Sequence, residues 1–126
     1  MLSGGTAGMV SGDDFEARSA ALLKSYGLRI LDTQYRCKAG EIDIIACDEH
    51  HLLFVEVRAR RHRSHGGAAA SVNRAKQCRI ARCAAYFLNR HPQWCHLPCR
   101  FDVIAWEPGC AGQSFEARWI QAAFIT

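Results

Sequence analysis

The strongest constraint on the fold is the stretch of residues 40–58, with the sequence G-E-I-D-I-I-A-C-D-E-H-H-L-L-F-V-E-V-R. Two apolar runs flank a polar stretch at residues 48–51, a pattern that is typical of two β-strands joined by a tight turn. Such a hairpin commits the chain to a β-sheet, and the position of the turn then determines which side chains face one another.

Four charged residues interrupt the apolar runs of this hairpin. Antiparallel pairing around the turn places Asp43 opposite Glu56, and it places Glu41 opposite Arg58. Because side chains two positions apart lie on one face of a strand, all four groups are predicted to project from the same side of the hairpin. Two carboxylates side by side on a sheet repel each other unless a cation lies between them.

The other residues of the two strands are apolar on both faces. One face is predicted to carry Ile42, Ile44, Leu53, Val55 and Val57, and the acids share the other with Ile45, Leu52 and Phe54. Apolar residues on both faces are typical of interior strands, where an unpartnered carboxylate is costly. Two interpretations stay open: cross-strand salt bridges on a solvated face, each contributing about 0–1 kcal/mol, or a metal ion held by the acids.

The metal interpretation rests on Asp43 and Glu56. Directly paired residues have Cβ atoms about 5 Å apart, so the two carboxylates can reach a single hard cation. Mg²⁺ (or Mn²⁺) suits this setting, because it takes one or two protein carboxylates and completes its shell with water and phosphate oxygens. Such a cation polarises a phosphodiester, and Arg58 on the same face can stabilise the charge that develops at phosphorus.

Composition sets the outer limits. A chain of 126 residues that is 49% hydrophobic and carries a net charge of +4 predicts one globular domain, residues 12–126, after a flexible lead-in, residues 1–11. No apolar run reaches the roughly 20 residues needed to span a membrane, and the start is not a convincing signal peptide, so a cytoplasmic protein without membrane contact is expected. Seven cysteines without tight spacing argue against a disulfide framework; most are expected to be reduced and buried.

Hydrophobic periodicity predicts an α/β fold with a mixed sheet of four or five strands flanked by helices. A helical crossover after the hairpin allows the next strand to lie parallel to its neighbour. The predicted elements are a helix at 13–26, a strand at 28–37, the hairpin, a basic loop at 59–67, a helix at 68–89, a strand at 100–106, and a strand or short helix at 117–124.

Basic residues cluster directly after the hairpin. Arg58, Arg60, Arg61 and Arg63 stand close together in the chain, and Lys76 follows in the second predicted helix. Clustered arginines neutralise phosphates and release counterions, so the run is a candidate nucleic-acid contact. The alternative is a solvated loop, the ordinary outcome for a run of charges.

Two further groups of residues are assigned structural roles. His91, Cys95, His96 and Cys99 lack the paired spacing of strong zinc sites, so loop and core roles are favoured. Asp102 is expected to pair with Arg100 or to cap a neighbouring loop.

The residues quoted above carry a resemblance. A helix acid, then G-E-I-D, then F-V-E-V-R is similar to the PD-(D/E)xK pattern of the restriction-endonuclease-like superfamily, which includes Holliday-junction resolvases. The chain most resembles the YraN-like family of small uncharacterised bacterial proteins, over residues 12–124. The resemblance includes the segment G-G-A-A-A-S-V, Lys76 and R-F-D-V-I. It implies a three-layer restriction-endonuclease-like sandwich.

The resemblance also implies a site. Asp43 and Glu56 would be the metal ligands and Glu16 would contribute from the first helix, although Glu16 also follows Asp13 at capping-box spacing. Arg58 stands where the superfamily has lysine, and arginine cannot act as a base because it stays protonated. Either a water activated by the cation attacks while Arg58 only stabilises charge, which we favour, or Lys76 reaches in from the second helix.

The expected function is therefore a Mg²⁺-dependent endonuclease that hydrolyses phosphodiester bonds in DNA, with branched DNA among its candidate substrates. Because lysine is replaced at Arg58, a non-catalytic nucleic-acid-binding module is the first alternative, and a protein-interaction domain is the second. Likeness to resolvases raises a homodimer as an alternative to a monomer.

Overall fold

A computed structural model describes residues 12–61, 68–109 and 114–125. Five strands and two α-helices are present in these ranges: α1 Gly12–Ser25, β1 Arg29–Cys37, β2 Gly40–Cys47, β3 Leu52–Ala59, α2 Arg74–Arg90, β4 Cys99–Pro108 and β5 Phe115–Phe124. Two short 3₁₀ turns precede and follow α2, at Ala69–Ser71 and Pro92–Trp94. The predicted lead-in, residues 1–11, lies outside the described residues.

The strands form one mixed sheet in the order β1-β2-β3-β4-β5. Neighbouring strands are antiparallel except β3 and β4, which are parallel. The exception arises because α2 crosses between them, and a parallel neighbour requires such a crossover. The predicted mixed α/β sheet is confirmed, and its fifth member is a strand rather than a short helix.

The helices cover opposite faces of the sheet and make three layers. On one face, Phe15 and Leu23 of α1 pack with a strand cluster that includes Ile44, Leu53 and Val55. On the other face, Ile80 and Phe87 of α2 pack with Ile45, Leu52 and Phe54. Both hairpin strands are therefore interior, as the apolar pattern predicted.

Ile42 departs from the predicted alternation. It packs in the α2 cluster with Ile45 and not with Ile44. Ile42 still pairs with Tyr35 of β1, but the pairing of β2 with β3 ends at Ile44 and Val55, so the break in alternation falls where β2 loses one of its two neighbouring strands.

Local signals in the chain account for the ends of these elements. Gly27, at φ +85°, ends α1, and the Leu28 N–H returns to the Leu23 carbonyl at 3.1 Å. In the predicted turn, one carboxylate oxygen of Asp48 accepts the N–H groups of His50 and His51, each at 2.8 Å.

The second helix begins later than predicted. The predicted helix from residue 68 is replaced by the short 3₁₀ turn, and α2 starts at Arg74. Asn73 occupies the N-cap, and its side chain accepts the Lys76 N–H at 2.9 Å. Asparagine is among the best N-cap residues, so Asn73 favours a new helix start here and separates the 3₁₀ turn from α2.

Asp102 has the structural role that was predicted. It is fully buried and takes two hydrogen bonds of 3.0 Å from Arg100. The Trp119 indole and the Ala122 N–H also donate to it, at 2.8 and 3.0 Å, which ties β4 to β5.

The cysteines are less buried than predicted. The six described cysteines are free. Cys47 and Cys83 are buried and Cys37 is half-buried, but Cys78, Cys95 and Cys99 are exposed. The expectation that most are buried is therefore wrong for the described residues. None of the described helices is long and apolar enough to cross a membrane.

Candidate functional site

The two central acids lie next to each other at the point where β2 and β3 separate. The pairing of β2 with β3 ends at Ile44 and Val55. Asp43 and Glu56 are the next residues beyond this last pair. The contact between their carboxyl groups raises the pKa of Glu56, whereas the same contact lowers that of Asp43. The Asp43 Oδ2 atom also accepts the Val57 N–H at 2.8 Å. The side chain of Asp43 thus accepts a hydrogen bond from a backbone N–H of β3.

The predicted partner of Glu41 is wrong. Glu41 is exposed and lies opposite Arg36 of β1, whose Nε is 3.1 Å from its Oε2. The β1–β2 pairing extends to this end of β2, whereas the recorded β2–β3 pairing stops at Ile44. Glu41 therefore belongs to an exposed ion pair at the edge strand and not to the acid pair.

Arg58 is held on the same side as Glu56. Its Nε donates to the Ser71 Oγ at 2.7 Å, and its Nη1 lies 3.5 Å from the Glu56 Oε2. Ser71 in turn donates to the Ala68 carbonyl at 2.6 Å. The 3₁₀ turn before α2 therefore positions the guanidinium through one hydroxyl.

Lys76 reaches the acids from the first turn of α2. Its Nζ lies 3.1 Å from the Glu56 Oε2. The side chain is 33% exposed, whereas that of Glu56 is 4% exposed. A partly solvated ammonium thus meets a buried carboxyl. The structure therefore brings Lys76 into direct contact with Glu56, as the second of the two arrangements left open by the sequence requires.

Burial and mutual repulsion dominate the electrostatics of the pair. Burial, and then the charge of Asp43, raise the pKa of Glu56 to about 7, and the Lys76 ammonium only partly opposes them. Burial also raises the pKa of Asp43, although the hydrogen bond from Val57 works against it. Two adjacent carboxyls that resist joint ionisation are characteristic of a site that favours added positive charge.

The residues present fit a Mg²⁺ or Mn²⁺ ion with few protein ligands. Among the described residues, no group of three or more His, Cys, Asp or Glu side chains is placed to hold a metal. Asp43 and Glu56 supply carboxylate oxygens only, which is the ligand type that Mg²⁺ prefers, with water and phosphate oxygens filling the remaining positions. The donor set does not suit a closed zinc site.

The remaining predicted site residues lie nearby or outside the described ranges. Glu16 is half-buried on α1, in the layer opposite α2. The ring of its neighbour Phe15 contacts that of Trp106, with ring centroids 5.6 Å apart, and Trp106 pairs with Ala59 at the end of β3. The first turn of α1 is therefore at the same end of the sheet as the acids.

The basic loop is described only at its start. Arg60 and Arg61 are exposed, and the Arg60 guanidinium donates to the Ala59 carbonyl at 2.9 Å. Arg63 lies outside the described residues.

Two contributors to the site were not predicted from the sequence. They are the Ser71 hydroxyl and the Val57 N–H. Ser71 stands in the segment G-G-A-A-A-S-V, which the resemblance marked without giving it a role. A backbone N–H leaves no signal in a side-chain pattern.

Removing the Ser71 hydroxyl tests how Arg58 is held. Ser71→Ala is expected to destabilise the fold by about 2–4 kcal/mol, because two hydrogen bonds are lost, one from the charged Arg58 and one to the Ala68 carbonyl. Denaturant unfolding measures the change. A Ser114→Ala variant, at an exposed position before β5, is the matched control and is expected to unfold like the native protein.

Comparison with known proteins gives the family. A model of the uncharacterised protein family UPF0102 matches residues 15–106. This chain belongs to the UPF0102 family. The matched range contains every described residue of the candidate site.

UPF0102 relatives match over nearly their whole length. The chain is 47% identical over 116 residues to a UPF0102 protein of Alcanivorax borkumensis, covering 92% of each chain. It is 41% identical to one of Stutzerimonas stutzeri, covering 90% of this chain and 93% of the relative. It is 42% identical to one of Alkalilimnicola ehrlichii, covering 90% and 86%. The predicted membership of the YraN-like family is thereby confirmed.

Proposed function

We propose that this UPF0102 protein is a nuclease of the restriction-endonuclease-like type that uses Mg²⁺ or Mn²⁺ to hydrolyse phosphodiester bonds in DNA. One observation carries the proposal: two neighbouring acids, the half-buried Asp43 and the buried Glu56, lie beside two cationic side chains, Arg58 and Lys76. A structural salt bridge needs one acid and one base. Two adjacent acids with raised pKa values, one of them buried, are costly to the fold and are more typical of a functional site.

The fold supports the same proposal. A five-stranded mixed sheet between two helical layers agrees with the three-layer sandwich implied by the resemblance. The acids come from neighbouring strands β2 and β3, as the pattern G-E-I-D followed by V-E-V-R requires. The likeness to resolvases makes branched DNA a natural first substrate.

Asp43 and Glu56 would hold the cation. When bound, it would polarise the phosphodiester and lower the pKa of water at the site. Arg58 and Lys76 then have the role of stabilising negative charge that develops on the phosphoryl oxygens. Arg58 is oriented for this by Ser71, and Lys76 by its contact with Glu56.

Lys76 can supply the ammonium group that is missing at position 58, where arginine stands in place of the superfamily's lysine. The superfamily pattern places an ammonium two residues after the second acid, and here an ammonium reaches Glu56 from α2 instead. Arginine cannot release a proton at the site, whereas a lysine ammonium can donate one to a leaving oxygen. The chain thus retains both a fixed guanidinium and a lysine beside the acids, which favours an active enzyme over a non-catalytic module.

The direct test is incubation with branched, single-stranded and duplex DNA in Mg²⁺ or Mn²⁺. Cleavage of at least one substrate is expected, and EDTA is expected to abolish it. Retention of DNA with a steep salt dependence and no turnover with either metal would instead identify a non-catalytic binding module. Cleavage that persists in EDTA would reject the metal-dependent mechanism.

A further inference from the structure

The exposed face of α2 is strongly basic. This helix of 17 residues, R-A-K-Q-C-R-I-A-R-C-A-A-Y-F-L-N-R, has four basic residues in its first half, a fifth at its end and no acidic residue. Arg74, Arg79 and Arg82 are exposed. Within the part of the chain that the structure describes, none of these three forms an ion pair with a carboxylate.

The start of α2 adds to this positive field. Its first turn contains Arg74 and Lys76 and no acid. The N-terminal end of a helix already carries partial positive charge, so basic side chains there repel it. A polyanion bound along the helix would offset this repulsion, which gives a physical reason for basic side chains at the start of α2.

The basic face leads away from the candidate site. Lys76 contacts Glu56, and Arg79 and Arg82 follow at intervals of three residues, which places them on neighbouring turns. At 1.5 Å per residue, Lys76 and Arg82 are about 9 Å apart along the helix axis. That length is comparable with a few phosphate steps of one DNA strand, which rise about 3.4 Å each.

The turn between β1 and β2 borders the same face. A Cβ atom on Gly40 would lie 3.4 Å from the Cβ of Arg79, so backbone and helix are in close contact there. The turn itself carries exposed Lys38. The positive surface therefore extends from the helix onto the sheet edge.

The side chains favour duplex DNA over a single strand. Proteins that bind single strands combine a basic groove with aromatic rings on which bases stack. Tyr86 is the exposed aromatic residue of α2, and its hydroxyl is engaged by Arg90 at 3.1 Å. Arginines without a stacking platform suit contacts to the phosphate backbone of a duplex.

We propose that the exposed face of α2, through Arg79 and Arg82, binds the phosphate backbone of duplex DNA. The binding surface stands on its own charges and geometry. Its role of leading a strand to Asp43 and Glu56 rests on the proposed nuclease function. The sequence pattern had pointed to the loop after β3 and to Lys76; the structure adds Arg79 and Arg82, which follow Lys76 on the same helix.

The test is the salt dependence of binding to a short labelled DNA duplex, measured by fluorescence anisotropy in EDTA so that no metal-dependent cleavage occurs. Arg79→Ala/Arg82→Ala is expected to lower the slope of log affinity against log salt by about 1.8, since each lost phosphate contact accounts for about 0.9. The matched control is Arg18→Ala/Lys24→Ala, which removes the same charge from α1 on the opposite layer and is expected to leave the slope unchanged. Circular dichroism and thermal unfolding confirm that both variants are folded.

Each outcome decides the proposal. Equal losses in the two variants would show that only net charge matters and would overturn it, as would a larger loss for a single strand than for the duplex. If the native protein cleaves DNA but the α2 variant keeps full duplex binding, the surface is wrong and the nuclease stands. If α2 controls binding but no substrate is cleaved, the nuclease is wrong and the surface stands.

Discussion

Asp43→Asn and Glu56→Gln are each expected to lower metal-dependent DNA cleavage by about a thousandfold, because a metal site supplies several kcal/mol of transition-state stabilisation and each 1.36 kcal/mol is a factor of ten. Both substitutions keep the shape of the side chain and remove the charge that would hold the cation. Initial rates on the preferred substrate, at saturating Mn²⁺, measure the effect.

Glu41→Gln provides the matched control. Glu41 lies on the same strand two residues before Asp43, but it is exposed and paired with Arg36. Its neutralisation is expected to leave cleavage unchanged. Equal rates for Asp43→Asn and Glu41→Gln would remove the acid pair from the reaction.

The second large effect concerns stability and pH. The pKa of Glu56 is raised from 4.5 to about 7 by burial and by Asp43, so the folded state keeps a proton that the unfolded chain releases. The stabilising contribution of Glu56 is therefore complete below about pH 4.5 and is lost as pH rises to about 7. A shift of this size corresponds to about 3 kcal/mol in the free energy of unfolding.

Glu56→Gln is expected to remove that dependence. In EDTA the variant should be as stable as the native protein near pH 5 and more stable at pH 8. The gain at pH 8 is at most about 3 kcal/mol, and the lost charge pair between Glu56 and Lys76 reduces it. Chemical denaturation at the two pH values measures both curves. If the native protein instead became more stable relative to the variant from pH 5 to pH 8, the raised pKa of Glu56 would be wrong.

Added metal separates the two explanations for the acid pair. A cation that binds the folded state alone stabilises it in proportion to the logarithm of its concentration. Mg²⁺ or Mn²⁺ should therefore raise native stability at pH 8 and have little effect on Glu56→Gln. The gain in stability from the substitution and its loss of cleavage would then be two consequences of one buried charge.

The sheet and the acid pair could be predicted because they depend on local pattern. Two apolar runs on either side of a polar turn determine the hairpin, and pairing around that turn brings Asp43 to Glu56. The partner of Glu41 could not be obtained in this way. It lies on β1, whose register with β2 is shifted between Ile30 and Asp32, and such an irregularity has no signature in apolar spacing.

Contacts between layers could be predicted only in part. The approach of Lys76 to Glu56 was one of two arrangements left open by the sequence, because it depends on where α2 begins. Asn73 marks that beginning and is a good N-cap residue, so this boundary was available in the sequence. The distance from Ser71 to Arg58 was not, because it follows from the packing of a short turn against a strand end.

The hydrogen bond from the Val57 amide to Asp43 has an experimental consequence. A backbone proton that points at a carboxylate senses its charge, so the amide resonance of Val57 serves as an internal reporter of the site. Its position in a nitrogen–proton correlation spectrum would follow ionisation of the pair and the arrival of a diamagnetic cation such as Mg²⁺. The charge state of the acid pair can thus be followed through a single backbone resonance, without a substrate.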